Sequence, residues 1–96
     1  MPAYVIADVE VTDPAAFAEY AKGGPAVLAA YGGTYIVRGG AIEVFEGNWA
    51  PTRLSIVRFE TAAQAKAWIA SPEYRPLREI RHRAARSKIV VVEGVR

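Results

Sequence analysis

Apolar and polar residues alternate with a period of two near the start of the chain. In residues 3–11 (AYVIADVEV), Val5, Ala7, Val9 and Val11 fall on one face, and the opposite face is mixed. This period is typical of a β-strand with one buried face. Four further strands are predicted, at residues 34–38, 42–46, 54–59 and 88–95.

Helical signals fill the stretches between these strands. Asp13-Pro14 combines an N-cap residue with a proline suited to the first helical position, and apolar residues then recur at roughly helical spacing. Gly23-Gly24-Pro25 interrupts this spacing, which predicts a kink or two short helices. A second helix is predicted after Thr61, with Gln64 completing a capping box, and a third is predicted after Ser71-Pro72.

The order of these elements indicates an α+β protein with the ferredoxin-like order β-α-β-β-α-β, in which the second helix is divided in two. Residues 1–96 are expected to form one domain, an antiparallel sheet with helices on one face. The other sheet face would be uncovered. Candidates for that face are Ile6, Ile36, Ile56 and Val91. We therefore expect a homodimer in which two sheets pack face to face and close a barrel.

Composition narrows the classes of function. The chain has no cysteine, which excludes disulfides and cysteine-ligated zinc, and its net charge is only +2. No signal peptide, phosphate loop, nucleophile triad or metal cluster is apparent, and no apolar stretch reaches the ~20 residues that span a bilayer. We expect a cytoplasmic protein that needs no cofactor or metal and binds neither membrane nor nucleic acid.

Five stretches together resemble a known family: DVEVTDPAAFAEYA, YGGTYIVRGG, EVFEGNW, SPEYRPL and IVVVEGV. The chain is similar to the domain of unknown function 1330 family, within the dimeric alpha-beta barrel superfamily. The resemblance implies a ferredoxin-like homodimer and no established activity. Related branches include cofactor-independent monooxygenases and haem-degrading enzymes, which share only the fold.

Arg38 is the first candidate site residue, because it ends a predicted strand directly before Gly39-Gly40, whose positive φ angles suit a tight hairpin. A three-residue hairpin loop would place Arg38 and Glu46 on the same face, and a two-residue loop would turn Glu46 to the opposite face. Arg38 could bind a carboxylate, enolate or phenolate in the barrel. The alternative is a structural ion pair with Glu46, Asp8 or Glu10.

Four other residues are candidates beside Arg38. Glu46 could be a general base or simply solvated, and Trp49 could form a pocket wall or a dimer contact. Arg53 begins a strand and could meet Glu46, so that Arg38, Glu46, Trp49 and Arg53 would form one polar cluster. The hydroxyl of Tyr74 could line the cavity mouth as a donor or acid, or its ring could close a helix end.

The third helix carries most of the positive charge. Between Arg75 and Lys88 lie seven basic residues, including His82, the single histidine of the chain, and one acidic residue. Arg75, Arg78, His82 and Arg86 follow a solvent-facing stripe, which predicts an exposed surface and no nucleic-acid site. The inward stripe is Leu77, Ile80 and Ala84, with Arg81 as a further candidate.

Two functional classes remain open from the sequence. The first is a protein that binds a small anionic or carbonyl-bearing molecule between sheet and helices, with catalysis of a cofactor-independent monooxygenase or isomerase type undecided. The second is a non-catalytic structural homodimer in which the charged residues only fix packing.

Overall fold

The fold is seen in a computed structural model that describes residues 1–95. Its strands are β1 (Ala3–Val11), β2 (Thr34–Arg38), β3 (Leu54–Phe59) and β4 (Ala85–Glu93), and its helices are α1 (Pro14–Ala30), α2 (Ala62–Ala70) and α3 (Arg75–Ala84). The sheet order is β2-β3-β1-β4, and every neighbouring pair is antiparallel. The predicted ferredoxin-like β-α-β-β-α-β order, with the second helix divided, is confirmed.

The predicted strand at residues 42–46 is wrong. This segment has no regular structure, and it exposes Val44 by 50% and Phe45 by 88%. The reason is that β2 pairs directly with β3, whose Val57 and Phe59 are buried against the helices, so the hairpin at Gly39-Gly40 does not form. Residues 39–53 therefore make a long connection between β2 and β3.

Helix α1 runs without interruption through Pro25, so the alternative of two short helices is wrong. Close packing against α3 explains the continuity and the need for glycine at this place. A Cβ atom on Gly23 would lie 2.8 Å from Cδ2 of Leu77, so the two helices approach closely there and a larger residue would require the Leu77 side chain to move. The predicted N-cap is confirmed, because Asp13 accepts a hydrogen bond from the Ala16 N–H. Just beyond the other end of α1, Gly32 has a positive φ of 85°, which suits glycine after a helix.

The turn before α3 begins as predicted but the helix starts later. Thr61 and Gln64 form the predicted capping box of α2. Ser71 Oγ accepts a hydrogen bond from the Tyr74 N–H at 3.1 Å, which forms one helical turn ahead of the first residue of α3, Arg75. Within residues 1–95, no helix combines the length and apolarity that crossing a bilayer requires.

The core lies between one sheet face and the helices, around Val5, Val57, Phe59, Leu28 and Trp68. On the opposite face Ile6 pairs with Ile56 and Val90, as expected of residues on an uncovered face. That face also exposes Val90 by 57% and Val92 by 47%.

The predicted position of Val91 on the open face is wrong. Val91 pairs with Val5 and packs against the core, so it lies on the helix-covered face. The register of β4 against β1 decides this outcome, because a shift of one residue exchanges the two faces of a strand.

Candidate functional site

A cavity of about 60 Å³ lies between the sheet and the helices. Its sheet side is aliphatic, formed by Val5, Val9, Val57 and Ile89. Its helix side carries aromatic rings, and three arginines are also part of the lining. These residues are Phe17, Tyr20, Trp68, Tyr74, Arg38, Arg53 and Arg81. Among the described residues that line it there is no aspartate or glutamate.

A β-bulge directs Arg38 into this cavity. Tyr35 pairs with Val57 and Arg38 pairs with Ser55, with a register shift around Ile36. In an undisturbed strand Tyr35 and Arg38 would point to opposite faces, but the extra residue places both side chains on the helix-covered face. Both predicted hairpin registers would place Arg38 on the same face as Thr34. The bulge places them on opposite faces.

Aromatic faces hold the two arginines nearest the opening. The Cζ atom of Arg38 lies 4.6 Å from the centroid of the Tyr35 ring, and that of Arg53 lies 5.0 Å from the centroid of Phe17. Neither arginine belongs to an ion pair found within residues 1–95, so the structural pair of Arg38 with a carboxylate is not formed there. Because stacking uses the face of a guanidinium, its in-plane N–H groups stay free to bind an oxyanion.

Arg81 occupies the buried part of the cavity wall. It is 6% exposed, and its Nε has no hydrogen-bond partner among residues 1–95. The ion pairs of the described chain do not include it. Nearby, Trp68 is 8% exposed and its indole Nε1 also lacks a partner within the described residues. Two residues that line the cavity thus each carry a buried donor group without an acceptor, which is uncommon in folded proteins.

A pair of tyrosine hydroxyls lies beside these donors. The Oη atoms of Tyr20 and Tyr74 are 2.7 Å apart, and Tyr74 is 1% exposed. Burial raises the pKa of Tyr20, and the neighbouring Tyr74 hydroxyl raises it further. Tyr20 is therefore neutral at physiological pH and can donate or accept a hydrogen bond, but it cannot serve as a phenolate base.

The structure separates the four residues that the sequence analysis groups into one cluster. Arg38 and Arg53 line the cavity, whereas Glu46 is exposed in the irregular segment and Trp49 contacts Asp8 on the open sheet face. Trp49 is 55% exposed, and its Nε1 donates to Oδ2 of Asp8 at 2.7 Å. The absent strand at 42–46 is the cause, because only a hairpin would have brought Glu46 beside Arg38.

The cavity also brings in residues that the sequence analysis does not select as site residues: Tyr20, Trp68 and Arg81. One signal for Arg81 was available, since it lies on the inward stripe of α3 between Leu77 and Ala84. An arginine on a buried helix face is rare unless it is paired or binds something. Nothing in the local sequence distinguishes Tyr20 or Trp68 from ordinary core aromatics.

The other basic residues of α3 are exposed except Arg78, for which the predicted place on the solvent-facing stripe is wrong. His82 is exposed, and Arg75 pairs with Glu79 at 3.5 Å. Arg78 is half-buried and its Nη1 donates to the carbonyl oxygen of Ile69 at 3.0 Å, so it is a structural contact. Among residues 1–95, no group of three His, Cys, Asp or Glu side chains could hold a metal ion.

The fold is similar to several solved structures. A protein of unknown function from Rhodopseudomonas palustris superimposes with a TM-score of 0.76 at 17% identity, covering 99% of this chain and 83% of that chain. SnoaB, a cofactor-independent oxygenase from Streptomyces nogalater, gives 0.71 at 14% identity, covering 99% and 94%. A protein provisionally assigned as an antibiotic biosynthesis monooxygenase from Nitrosomonas europaea gives 0.65 at 17%, covering 100% of both.

The TM-scores show that these proteins share the ferredoxin-like fold of this chain, and the low identities leave its activity open. No functionally curated protein matches the chain significantly in sequence. The family model described as a domain of unknown function (DUF1330) matches residues 2–95, and the chain therefore belongs to that family.

Proposed function

We propose that this protein binds a small anionic or carbonyl-bearing molecule in the cavity between its sheet and helices. One observation carries the proposal: three arginines line a small cavity whose described lining contains no carboxylate. Like charges around one cavity repel each other, and an anion bound among them would remove that repulsion. The predicted structural alternative needs an internal carboxylate partner, which none of the three arginines has within residues 1–95.

Arg38 and Arg53 would orient the bound molecule at the opening. Each guanidinium is supported by an aromatic face, at 4.6 Å for Tyr35 and 5.0 Å for Phe17, which limits its rotation. An arginine held in this way presents parallel N–H groups to a carboxylate or enolate.

The experiment begins with native mass spectrometry of freshly purified protein, to detect a carried molecule that leaves on denaturation. Binding of acetate, benzoate and phosphate is then compared in wild type and Arg38→Ala. The variant should lose about 1.5–3 kcal/mol of anion affinity, the scale of a charged hydrogen bond, with a nearly unchanged melting temperature. Arg83→Ala, an exposed arginine on α3, is the control.

A structural role for Arg38 would give the opposite result. Removing one partner of a buried ion pair costs about 3–5 kcal/mol of stability. A loss of that size in Arg38→Ala, with anion binding unaffected or absent, would refute the proposal.

We also propose that the protein is a homodimer that packs its open sheet faces together. The exposed Val90 and Val92 on that face, and the exposed Phe45 in the β2–β3 connection, support this assembly. An interface of ordinary size would bury at least ~1,200 Å² in total. Light scattering at micromolar concentration should report a dimer, and a particle of the 10.4 kDa chain mass would refute it.

Cofactor-independent catalysis is a second candidate function. The observation in its favour is the Tyr20–Tyr74 hydroxyl pair at 2.7 Å in the cavity wall, which could pass a proton to or from a bound carbonyl. One structural neighbour is described as a cofactor-independent oxygenase. If the protein turns over the molecule it carries, Tyr74→Phe should lower the rate of product formation much more than the binding affinity. Equal losses in both would leave binding as the function.

A further inference from the structure

The buried end of the cavity presents hydrogen-bond donors without acceptors. Arg81 Nε and Trp68 Nε1 are both buried and unpartnered among residues 1–95, and neither group can accept a hydrogen bond. One hydroxyl proton of the Tyr20–Tyr74 pair is also available, since only one of the two hydroxyls donates within the pair. A complementary ligand must therefore bring several oxygen lone pairs to this end of the cavity.

A carboxylate satisfies these donors better than the other candidates do. A neutral carbonyl would accept hydrogen bonds but leave the buried charge of Arg81 uncompensated, which is costly inside a protein. A phosphate dianion would compensate the charge, but it would also lose its hydration against a wall that is mostly aliphatic and aromatic. A carboxylate has two oxygens that can accept from both buried donors, and one negative charge to match one guanidinium.

The remaining walls indicate what the carboxylate is attached to. The sheet side is aliphatic, with Val5, Val57 and Ile89, and the helix side is aromatic, with Phe17 and Trp68. The two apolar walls favour a flat, apolar body over a polar one. A cavity that holds a whole benzene ring has a volume of about 150 Å³. The cavity of about 60 Å³ would therefore enclose the carboxylate and the near part of a ring, with the rest of the ring toward the opening.

We propose that the cavity binds a small aromatic carboxylate, head first, with its carboxylate on Arg81 Nε and Trp68 Nε1. This inference rests on the proposed anion-binding function and adds the class of ligand and its orientation. Arg81 and Trp68 form the recognition end, while Arg38 and Arg53 attract the anion to the opening.

Calorimetric titration with benzoate tests the ligand class, because two analogues each remove one property. Cyclohexanecarboxylate keeps the charge and removes the planar ring, and benzamide keeps the ring and removes the charge. Benzoate should bind more tightly than either. Weaker binding of benzoate than of cyclohexanecarboxylate, or equal binding of benzamide, would overturn the inference.

Matched substitutions test the orientation. Arg81→Met should weaken benzoate binding by about 10- to 150-fold, whereas Arg83→Met, two residues away and exposed, should not weaken it. Arg81→Met should also fold at least as stably as wild type, because it removes a buried unpaired charge. Trp68→Phe against Trp49→Phe gives a second pair of variants, in which only loss of the Trp68 indole N–H should lower affinity.

The outcomes separate this inference from the function on which it rests. If acetate or phosphate binds with a dependence on Arg38 while benzoate does not bind, or if benzoate binding is the same in Arg81→Met and wild type, the inference fails and anion binding stands. If none of the three anions binds to protein shown by mass spectrometry to be empty, both fail. If Arg81→Met does not fold, an unchanged benzoate affinity in Trp68→Phe would overturn the inference.

Discussion

Arginines on the two sides of the sheet differ in whether they form ion pairs. On the open face, Arg58 pairs with Glu60 at 3.0 Å and Arg86 pairs with Glu10 at 3.7 Å, although the side chains of these arginines are 40% and 83% exposed in the isolated chain. On the covered side, Arg81 of helix α3 lines the cavity against the sheet, is 6% exposed and is in none of the ion pairs within residues 1–95.

This difference runs against what stability alone would favour. An exposed ion pair contributes little to stability, whereas a buried unpaired charge costs several kcal/mol. Carboxylate partners are thus present for the exposed arginines, where they add little stability, and missing for the buried Arg81, where they would add most. A cavity that keeps such a charge, with two further arginines at its opening, is better explained by a ligand than by packing.

The largest effect is expected when the missing carboxylate is supplied within the chain. Ser55 lines the cavity and is the cross-strand neighbour of Arg38. Ser55→Asp would give the covered face the pairing seen on the open face. The free energy of unfolding should rise by about 1.5–3 kcal/mol, the scale of hydrogen bonds to charged groups, and anion binding should be lost. Urea denaturation and calorimetric titration measure the two effects.

Ser55→Asn is the matched control, because it has nearly the same size and hydrogen-bonding reach without the charge. It should not stabilise the protein. If Ser55→Asp destabilised the protein as much as Ser55→Asn did, and anions still bound, the arginines would not form one positively charged cluster.

The second effect concerns the hydroxyl groups of Tyr20 and Tyr74, which are hydrogen-bonded to each other on the covered side of the sheet. Tyr74→Phe removes one hydroxyl of the pair at 2.7 Å and leaves that of Tyr20 without its protein partner. The loss should be about 1 kcal/mol of unfolding free energy, the usual contribution of a buried hydrogen bond. A double-mutant cycle with Tyr20→Phe measures the coupling between the two hydroxyls. A coupling near zero would mean that they do not stabilise each other.

Much of the fold could be predicted because its signals are local. The alternation in β1 and the caps at Asp13 and Thr61 depend on neighbouring residues, and each was predicted correctly. The strand at 42–46 was not, because Val44 and Phe45 have strand-like character but β3 takes the place beside β2. Local propensity does not decide between two segments that compete for the same partner.

The site was less predictable because it depends on register and on contacts distant in sequence. The sequence predicts a role for Arg38, but the direction of its side chain follows from a bulge at Ile36 that only the pairing of β2 with β3 reveals. The sequence puts Arg81 on the inward stripe of α3 and predicts no role for it. Arg81 stands out because it has no ion-pair partner within residues 1–95, and a missing partner leaves no pattern in the sequence.

The third effect is a dependence of stability on pH that originates in the covered face. Burial raises the pKa of Tyr20 above that of an unfolded tyrosine, and burial also raises the pKa of Tyr35. Below pH ~10 both states hold the proton, so the contribution is fully present. Above pH ~10 the unfolded state loses its proton first, and stability should fall by up to about 1.4 kcal/mol per pH unit for Tyr20. Tyr35 is half-buried and should contribute less, because solvent screens it.

Urea denaturation between pH 8 and 11 is the measurement. At pH 11 the loss attributable to Tyr20 should be about 1 kcal/mol, and Tyr20→Phe should show a correspondingly smaller decline. An identical decline in the variant would mean that Tyr20 ionises as readily in the folded protein as in the unfolded chain.

The smallest effect is expected at the open face, where an exposed ion pair provides the contrast to the buried, unpaired Arg81. Glu10 and Arg86 are 3.7 Å apart, with side chains 58% and 83% exposed. Glu10→Gln should change the unfolding free energy by less than about 0.5 kcal/mol, since water and salt already screen such a pair. Denaturation at low and high salt, combined with Arg86→Met in a double-mutant cycle, isolates the pair from other effects of each substitution.

The Glu10–Arg86 pair lies near one end of β1 and β4, so in the proposed dimer we expect it at the rim. A coupling well above 1 kcal/mol that resists salt would show instead that the pair is buried between subunits. Burial would then no longer distinguish the arginines of the two faces, and the contrast with Arg81 would rest on pairing alone.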